Sequence, residues 1–226
     1  MQYDNIREAV FLKRPNRFIA EILVDGQQEI AHVKNTGRCK ELLTDKAKIY
    51  VQYFPEGKRK TKYDLIAVQK GELLINMDSQ APNKVVQEWL LKNNPWGEIT
   101  LCKPEYTLGK SRFDFYVEMG ERRLLLEVKG VTLEDQGVVL FPDAPTERGL
   151  KHVRELQELN HQGYETAVMF VVQLEQASYF TPNKATQSEF AEALKLAQAE
   201  GTKLLAYTCR VEPDRLEITE PLEIRL

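Results

Sequence analysis

Two neighbouring segments, Ser111-Arg-Phe-Asp-Phe-Tyr-Val-Glu118 and Leu124-Leu-Leu-Glu-Val-Lys129, decide the fold of this chain. In the first segment apolar residues alternate with polar ones, and a period of two is typical of a β-strand. Gly120-Glu121 lies between the segments, and a two-residue loop with glycine first favours a tight hairpin. The sequence therefore predicts an antiparallel hairpin with one apolar face. That face combines Phe113, Phe115 and Val117 with Leu124, Leu126 and Val128.

The opposite face of this hairpin carries two carboxylates. A turn at Gly120-Glu121 brings Asp114 opposite Glu127. Directly opposed Cβ atoms in an antiparallel ladder are roughly 4.5–5.5 Å apart, and like charges there are destabilising. Such a pair is stable when one group keeps its proton or when a cation lies between them. Lys129 projects on the same face as Glu127, so we predict Asp114 and Glu127 as metal ligands and all three residues as catalytic candidates.

An ordinary solvated strand face is the alternative interpretation, and a register shift of one residue would separate the two carboxylates. The consecutive leucines Leu124-Leu-Leu126 favour a strand that is buried on both faces. Charges at Glu127 and Lys129 would then be costly unless they had a role. The residues alone leave both interpretations open.

Composition limits the class of protein. The chain has 226 residues, of which 42% are hydrophobic and 29% charged, and this is typical of a globular protein with one large domain or two small ones. No apolar run approaches the roughly 18 residues that cross a bilayer, so we expect no membrane association. The N-terminus lacks a signal-peptide pattern, and three distant cysteines favour neither disulfides nor a zinc site. We therefore expect a cytoplasmic protein.

Charge and strand patterns set the first part of the chain apart. The net charge is −3, but residues 1–84 carry 15 basic against 11 acidic residues. Asp25-Gly26 suits a type I′ hairpin turn between two strand-like runs. Five short strands in the first eighty or so residues predict a small all-β oligonucleotide-binding-type barrel over residues 1–82, although a sandwich has the same periodicity. The predicted strands are Phe18–Val24, Glu29–Val33, Ala47–Tyr53, Tyr63–Val68 and Leu73–Asn76.

Helical periodicity appears after residue 82 and predicts an α/β domain over residues 83–226. Asn83 is the predicted N-cap of a helix that ends at Asn93, and Thr146 caps a longer helix that ends at His161. Leucine and valine residues form one buried stripe of the longer helix. The remaining predicted elements are the strands Ile99–Lys103, Thr166–Gln173 and Leu204–Val211 and the helix Gln187–Glu200.

Ten residues are candidate nucleic-acid contacts. Asn35-Thr-Gly37 with Arg38 offers amides and a guanidinium to a phosphate. The basic run that begins at Lys58 suits contacts with a phosphate backbone, and a helix N-terminus after Thr146 attracts phosphate. An ordinary solvated surface is the alternative for each. The candidates are Arg17, Lys34, Asn35, Arg38, Lys58, Arg59, Lys60, Arg148, Lys151 and His152, the last three being expected on one polar helix face.

Four segments together resemble the sugar fermentation stimulation protein A family. They are His32-Val-Lys-Asn-Thr-Gly-Arg38, Ser111-Arg-Phe-Asp-Phe115, Glu127-Val-Lys-Gly-Val-Thr-Leu133 and Phe141-Pro-Asp-Ala-Pro-Thr-Glu-Arg-Gly-Leu-Lys-His152. The resemblance implies DNA binding, an oligonucleotide-binding-type barrel and a C-terminal domain similar to PD-(D/E)xK nucleases. In those nucleases an Asp and a Glu-x-Lys pair hold a divalent metal, which here implies Asp114, Glu127 and Lys129. The family usually has Cys-Pro where this chain has Val33-Lys34.

We therefore expect a DNA-binding protein that is largely independent of sequence, with a nuclease-like site for Mg²⁺ or Mn²⁺ and phosphodiester cleavage as the leading catalytic hypothesis. The alternative is a non-catalytic DNA-binding regulator of sugar metabolism genes. An enzyme of a small phosphorylated substrate is disfavoured because the sequence has no glycine-rich phosphate loop. The oligomeric state does not follow from the sequence.

Overall fold

The computed structural model describes residues 1–35, 37–55 and 59–226, so the predicted contact Lys58 lies outside the described residues. The described residues of the first part of the chain form six strands. They are β1 (Ile6–Asn16), β2 (Ile19–Val24), β3 (Gln27–Val33), β4 (Lys48–Tyr53), β5 (Tyr63–Lys70) and β6 (Leu73–Asn76).

Strands β1 to β5 close into a barrel. The sheet order is β3-β2-β1-β4-β5-β6, and a parallel pairing of Ala31–Val33 with Tyr63–Leu65 joins β3 to β5. Asp25 and Gly26 have φ angles of 50° and 77°, as the predicted type I′ turn requires. The predictions omitted β1 because register shifts against β2 interrupt its alternation of buried and exposed residues.

The second part of the chain is an α/β domain with three helices and nine strands. A six-stranded mixed sheet has the order β15-β14-β12-β9-β8-β7, and a small sheet has the order β10-β11-β13. The elements are α1 (Ala81–Asn93), β7 (Leu101–Leu108), β8 (Ser111–Met119), β9 (Arg122–Val131), β10 (Leu133–Asp135), β11 (Val138–Phe141), α2 (Glu147–His161), β12 (Glu165–Val172), β13 (Tyr179–Pro182), α3 (Ser188–Ala199), β14 (Lys203–Glu212) and β15 (Arg215–Pro221).

Helices cover both faces of the six-stranded sheet. Helix α1 packs on one face against Leu124 and Leu126, whereas α2 and α3 pack on the other, in the cluster that contains Leu125. The prediction that the leucine run is buried on both faces is therefore confirmed. Burying one such side chain is worth about 1.5–3 kcal/mol, so these layers fix the sheet in place. Among the described residues no helix is long and apolar enough to cross a membrane.

The hairpin of β8 and β9 has the predicted register over most of its length. Its ladder runs from Met119–Arg122 to Phe115–Leu126. It ends there, so the prediction of Asp114 and Glu127 as direct ladder partners is wrong. Phe113 was also predicted on the wrong face: it packs in the cluster of α2, whereas Phe115 packs with α1.

The helix boundaries test two predicted caps. The hydroxyl of Thr146 accepts a hydrogen bond from Gly149 N at 3.0 Å, which confirms it as the N-cap of α2. Helix α1 starts earlier than predicted, with Gln80 as its N-cap and Pro82 in the first turn. The predicted N-cap at Asn83 is therefore wrong, because this residue lies inside the helix and its side chain is free to reach β8.

A polar connection ties the barrel to the α/β domain. The amide of Gln173 donates hydrogen bonds to Asn76 Oδ1 at 2.9 Å and to the carbonyl oxygen of Asp78 at 3.1 Å. Lys70 Nζ donates to the carboxylate of Glu134 at 2.6 Å. Gln173 and Asn76 are buried, so the bonds of Gln173 are shielded from water and help to fix how the two parts meet.

Candidate metal centre

Asp114 is held from two sides at the point where the β8–β9 ladder ends. The backbone N–H of Val128 donates to Oδ2 at 2.7 Å, so the carboxylate replaces a backbone partner. The side-chain amide of Asn83, on α1, donates to Oδ1 at 2.8 Å. These two bonds fix the orientation of the carboxylate. Sequence reasoning missed the role of Asn83 because it depends on the packing of α1 against the sheet.

Glu127 is buried, and its two carboxylate oxygens have different surroundings. Oε1 accepts from Lys129 Nζ at 2.5 Å and lies 2.6 Å from His152 Nδ1. Oε2 is buried and has no hydrogen-bond partner in the part of the chain that the structure describes. A buried anionic oxygen without a partner is costly, so Oε2 is the atom of the site that most needs a ligand.

The pKa values of the two carboxyl groups are shifted in opposite directions. Burial, and next the charge of Glu127, raise the pKa of Asp114 against the opposing hydrogen bonds from Val128 and Asn83. Burial also opposes the ionisation of Glu127, but the hydrogen bond from His152 and the charge of Lys129 outweigh it, so the pKa of Glu127 lies below its usual value. Pairs of acids whose pKa values are pushed apart are common at functional sites.

The residues of this site fit a hard divalent cation. Asp114 and Glu127 supply carboxylate oxygens, the ligand type that Mg²⁺, Mn²⁺ and Ca²⁺ prefer. Among the described residues no group of three or more His, Cys, Asp or Glu side chains forms a ligand set. Asp114 and Glu127 are the two carboxylates of this candidate site. Mg²⁺ sites commonly combine one or two carboxylates with phosphate oxygens and water.

His152 lies inside the protein and not on the exposed phosphate-binding face that the sequence predicted. Its side chain is 6% exposed, and its ring packs 5.9 Å from that of Phe113. The prediction is wrong because the buried stripe of α2 is wider than its leucine and valine residues, since it includes Gly149 and His152 as well. His152 therefore orients Glu127.

Family comparisons agree with this architecture. A family model described as the sugar fermentation stimulation protein RE domain matches residues 80–215, and one described as the SfsA N-terminal OB domain matches residues 12–77. The chain belongs to the sugar fermentation stimulation protein family. These matches confirm the predicted family and the predicted pairing of an oligonucleotide-binding-type barrel with a restriction-endonuclease-type domain.

Relatives within the sugar fermentation stimulation family cover the whole chain. The homologue from Ruminiclostridium cellulolyticum is 52% identical over 100% of both chains, and that from Desulfitobacterium hafniense is 53% identical over 100% of this chain and 99% of its own. A solved structure of Pyrococcus furiosus SfsA in complex with Ca²⁺ has a TM-score of 0.87 at 26% identity, and the match covers 100% of this chain and 98% of that one.

In the present protein, Arg148 and Lys151 on α2 are exposed, as the sequence predicted. Lys151 Nζ donates to Ser111 Oγ at 3.3 Å and lies 3.4 Å from Glu155 Oε1. Ser111 begins β8, the strand that also carries Asp114, so this ammonium lies near the start of that strand. Arg148 and Lys151 therefore remain candidates for phosphate contact beside the metal centre.

Arg14 builds the loop that carries Asn35 and Arg38. Its guanidinium donates to the carbonyl oxygens of Arg17, Asn35, Gly37 and Arg38 at 2.7–2.9 Å. Nothing in the sequence separates Arg14 from its basic neighbours, so this role was missed. The arrangement leaves Arg17 and Arg38 exposed, and Arg17 lies over the ring of Phe18, 4.8 Å from its centroid.

Lys34 and Arg59 are ion-paired within the barrel. Lys34 is 14% exposed and lies 3.0 Å from Asp78 and 3.4 Å from Asp64, both of which are buried. Arg59 pairs with Asp64 at 2.5 Å and covers the ring of Phe54 at 4.1 Å. The charge of Lys34 is therefore largely neutralised inside the protein, whereas Lys60 is exposed.

Proposed function

We propose that this protein binds DNA largely independently of sequence and hydrolyses phosphodiester bonds at the Asp114–Glu127 centre with Mg²⁺ or Mn²⁺. The observation that carries the proposal is the buried Oε2 of Glu127, which has no hydrogen-bond partner among the described residues and lies beside a second carboxylate and the ammonium of Lys129. This combination of anionic oxygens with one cation suits a metal ion and a phosphate together.

The relative from Pyrococcus furiosus supports a cation in this family, since its structure is described as a complex with Ca²⁺. Ca²⁺, Mg²⁺ and Mn²⁺ all prefer oxygen ligands. When bound, such an ion polarises a phosphoryl oxygen and lowers the pKa of water. Asp114 and Glu127 would hold it.

The surrounding side chains position the reacting groups. Asn83 and His152 fix the two carboxylates from opposite faces of the sheet. Lys129 Nζ, close to Glu127, can donate to a phosphate oxygen and stabilise the negative charge that develops there. Arg148 and Lys151, exposed on α2, would hold the adjacent backbone.

Barrel residues would supply most of the sequence-independent affinity. Arg17, Arg38 and Lys60 are exposed cations, and Phe18 is 44% exposed beside Arg17. Each phosphate contact releases counterions, so affinity for duplex DNA should fall with a log–log salt slope of about −0.9 for each contact. Fluorescence anisotropy between low and physiological salt measures this slope. An affinity that does not change with salt would contradict backbone binding.

Cleavage tests the catalytic part of the proposal. Purified protein is incubated with plasmid, single-stranded DNA and RNA in Mn²⁺ or Mg²⁺, beside the Asp114→Ala and Asp114→Asn variants. We expect strand cleavage that needs the metal and falls at least about 10³-fold in both variants. Asp114→Asn keeps the shape of the side chain and is the matched control for folding. Cleavage that survives both substitutions would show a contaminating nuclease.

A non-catalytic DNA-binding regulator is the second candidate. It is favoured by Glu127 Oε1, which already accepts from Lys129 Nζ and contacts His152 Nδ1. Such a closed ion pair can also serve a purely structural site. Metal and DNA binding without cleavage of any of the three substrates would support this candidate over the first.

A further inference from the structure

A small cleft lies where the barrel meets the α/β domain, next to the metal centre. Its volume is about 120 Å³. The barrel side contributes Asn35, and the domain side contributes Gly130, which follows Lys129 directly. We call it the interdomain cleft; its walls also include Ser79, Phe141, Asp143 and Gln173.

Gln173 presents a fixed acceptor to this cleft. Its Nε2 donates to Asn76 Oδ1 and to the carbonyl oxygen of Asp78, which sets the orientation of the amide. A Cβ atom on Gly130 would lie 2.6 Å from Gln173 Oε1, so glycine leaves this oxygen room. In the described parts of the chain the hydrogen bonds of the Gln173 side chain are made by Nε2.

The other polar groups favour a neutral ring over a phosphate. Asp143 is the charged side chain among the lining residues, all of which the structure describes, and its carboxylate repels phosphate. The backbone N–H of Gly37 donates to Asn35 Oδ1 at 2.8 Å, so the amide of Asn35 can donate only from its other atom, Nδ2. Acceptors at Gln173 and Asp143 and a donor at Asn35 match the hydrogen-bonding edge of a nucleobase.

The apolar wall and the size suit one planar ring. Leu133, Leu140 and Phe141 line the cleft, and the ring of Phe141 is held 5.3 Å from that of Phe190. An apolar cavity of about 150 Å³ accepts benzene, whereas drug-sized ligands need about 300 Å³ or more. At about 120 Å³ the cleft is smaller than a cavity that encloses benzene, so it admits the edge of one ring and not a whole nucleotide.

The cleft lies where a base of a nucleic-acid strand could enter while the same strand reaches the metal centre. Gly130 lies three residues beyond Glu127 on β9, which is about 10 Å at 3.3 Å per residue. Nucleotides stack at about 3.4 Å along one strand, so this span corresponds to about three nucleotides. A base can enter only if it is unpaired or turned out of its stack.

We propose that the interdomain cleft binds one unpaired nucleobase of the bound strand, within about three nucleotides of the metal centre. The inference rests on the proposed function and narrows its substrate class to single-stranded or locally unpaired nucleic acid. Stacking of one base on an aromatic side chain is worth about 1–3 kcal/mol, and we expect a contribution of this size here. Unpaired strands should therefore bind roughly 5- to 100-fold more tightly than fully paired duplexes of equal length.

Photocrosslinking tests the assignment directly. The full-length protein is bound to a single strand that carries 5-iodouracil, irradiated, digested and analysed by mass spectrometry. We expect crosslinked peptides that contain residues 130–133 or 140–143. Ser79→Trp fills the mouth of the cleft and should abolish these crosslinks and weaken single-strand binding 5- to 100-fold. Ser79→Ala removes the same hydroxyl without filling the cleft and should behave like the wild type.

The outcomes separate this inference from the proposed function. Crosslinks confined to other surfaces, or a Ser79→Trp variant that folds and binds like the wild type, would overturn the cleft assignment alone. Thermal unfolding of both Ser79 variants shows whether they are folded. Failure of the wild-type protein to bind any strand would overturn the proposed function and the cleft with it.

Discussion

Among the described residues, the buried acids of the barrel and the buried acid of the candidate metal centre differ in how completely they are paired. In the barrel, Asp64 and Asp78 are buried at 1% and 0% exposure, and Lys34 and Arg59 neutralise them. In the α/β domain, Glu127 is equally buried, but its Oε2 has no partner among the described residues. Burial of a carboxylate therefore does not indicate function by itself. The incomplete pairing of Glu127 is the observation on which we base the proposed metal centre.

The largest effect on stability should come from the barrel pair. Replacing Asp78 by Ala leaves Lys34 close to a single carboxylate and removes partners of Tyr3 and Gln80. Breaking a buried ion pair in this way costs about 3–5 kcal/mol of unfolding free energy. Urea unfolding measures the loss, and metal affinity should stay unchanged if the variant is folded.

The barrel acids and the acids of the candidate metal centre would not differ as we describe if Asp114→Asn destabilised the protein as much as Asp78→Ala. We expect instead a clearly smaller loss of stability. The substitution removes a buried charge beside Glu127, which offsets the loss of one of the two hydrogen bonds that Asp114 accepts. The same urea experiment on the two variants makes this comparison.

Substitutions at Asn83 and His152, which orient the two carboxylates, should have an intermediate effect, and this effect should be on metal affinity. Removing the side chain of Asn83 takes away the donor to Asp114 Oδ1. Removing that of His152 leaves Glu127 Oε1 with Lys129 alone. Loss of such a supporting bond typically lowers metal affinity 10- to 100-fold. Calorimetric titration with Mn²⁺ measures it for Asn83→Ala and His152→Ala. His152→Asn keeps a donor close to the position of Nδ1 and should recover most of the affinity, which a purely structural role for the imidazole would not explain.

The smallest effect concerns a carboxylate that is fully paired near the surface. Hydrogen bonds from Arg122, and further ones from Lys203, lower the pKa of Glu165 from 4.5 to about 2. A lowered folded-state pKa stabilises the protein above the unfolded value, and this contribution disappears as pH falls from about 4.5 towards 2. Because the side chain is 30% exposed, we expect about 1 kcal/mol. Urea unfolding measures the free energy of unfolding of the wild type and of Glu165→Gln between pH 7 and about pH 2.5. The difference in this free energy between the two proteins should largely disappear at the low end, and a difference that stays constant with pH would contradict the role of Glu165.

Local signals explain what the sequence could predict. The β8–β9 hairpin follows from alternation and a glycine turn, and its register brings Asp114, Glu127 and Lys129 to one end of two strands. Strand β1 escaped prediction because its register shifts break the alternation. The roles of Asn83, His152 and Arg14 depend on which helix face or loop packs against them. Those contacts join residues 21–31 positions apart, and no local pattern encodes them.

Metal binding by Glu127 is the most direct test of the central claim. Calorimetric titration of Mn²⁺ into the wild-type protein should show saturable binding, and Glu127→Gln should lose it because the amide removes the negative charge of Oε2. Asp64→Asn is the matched control from the fully paired set and should bind Mn²⁺ like the wild type when folded. Equal binding by wild type and Glu127→Gln, or no binding by the folded wild type, would contradict the account.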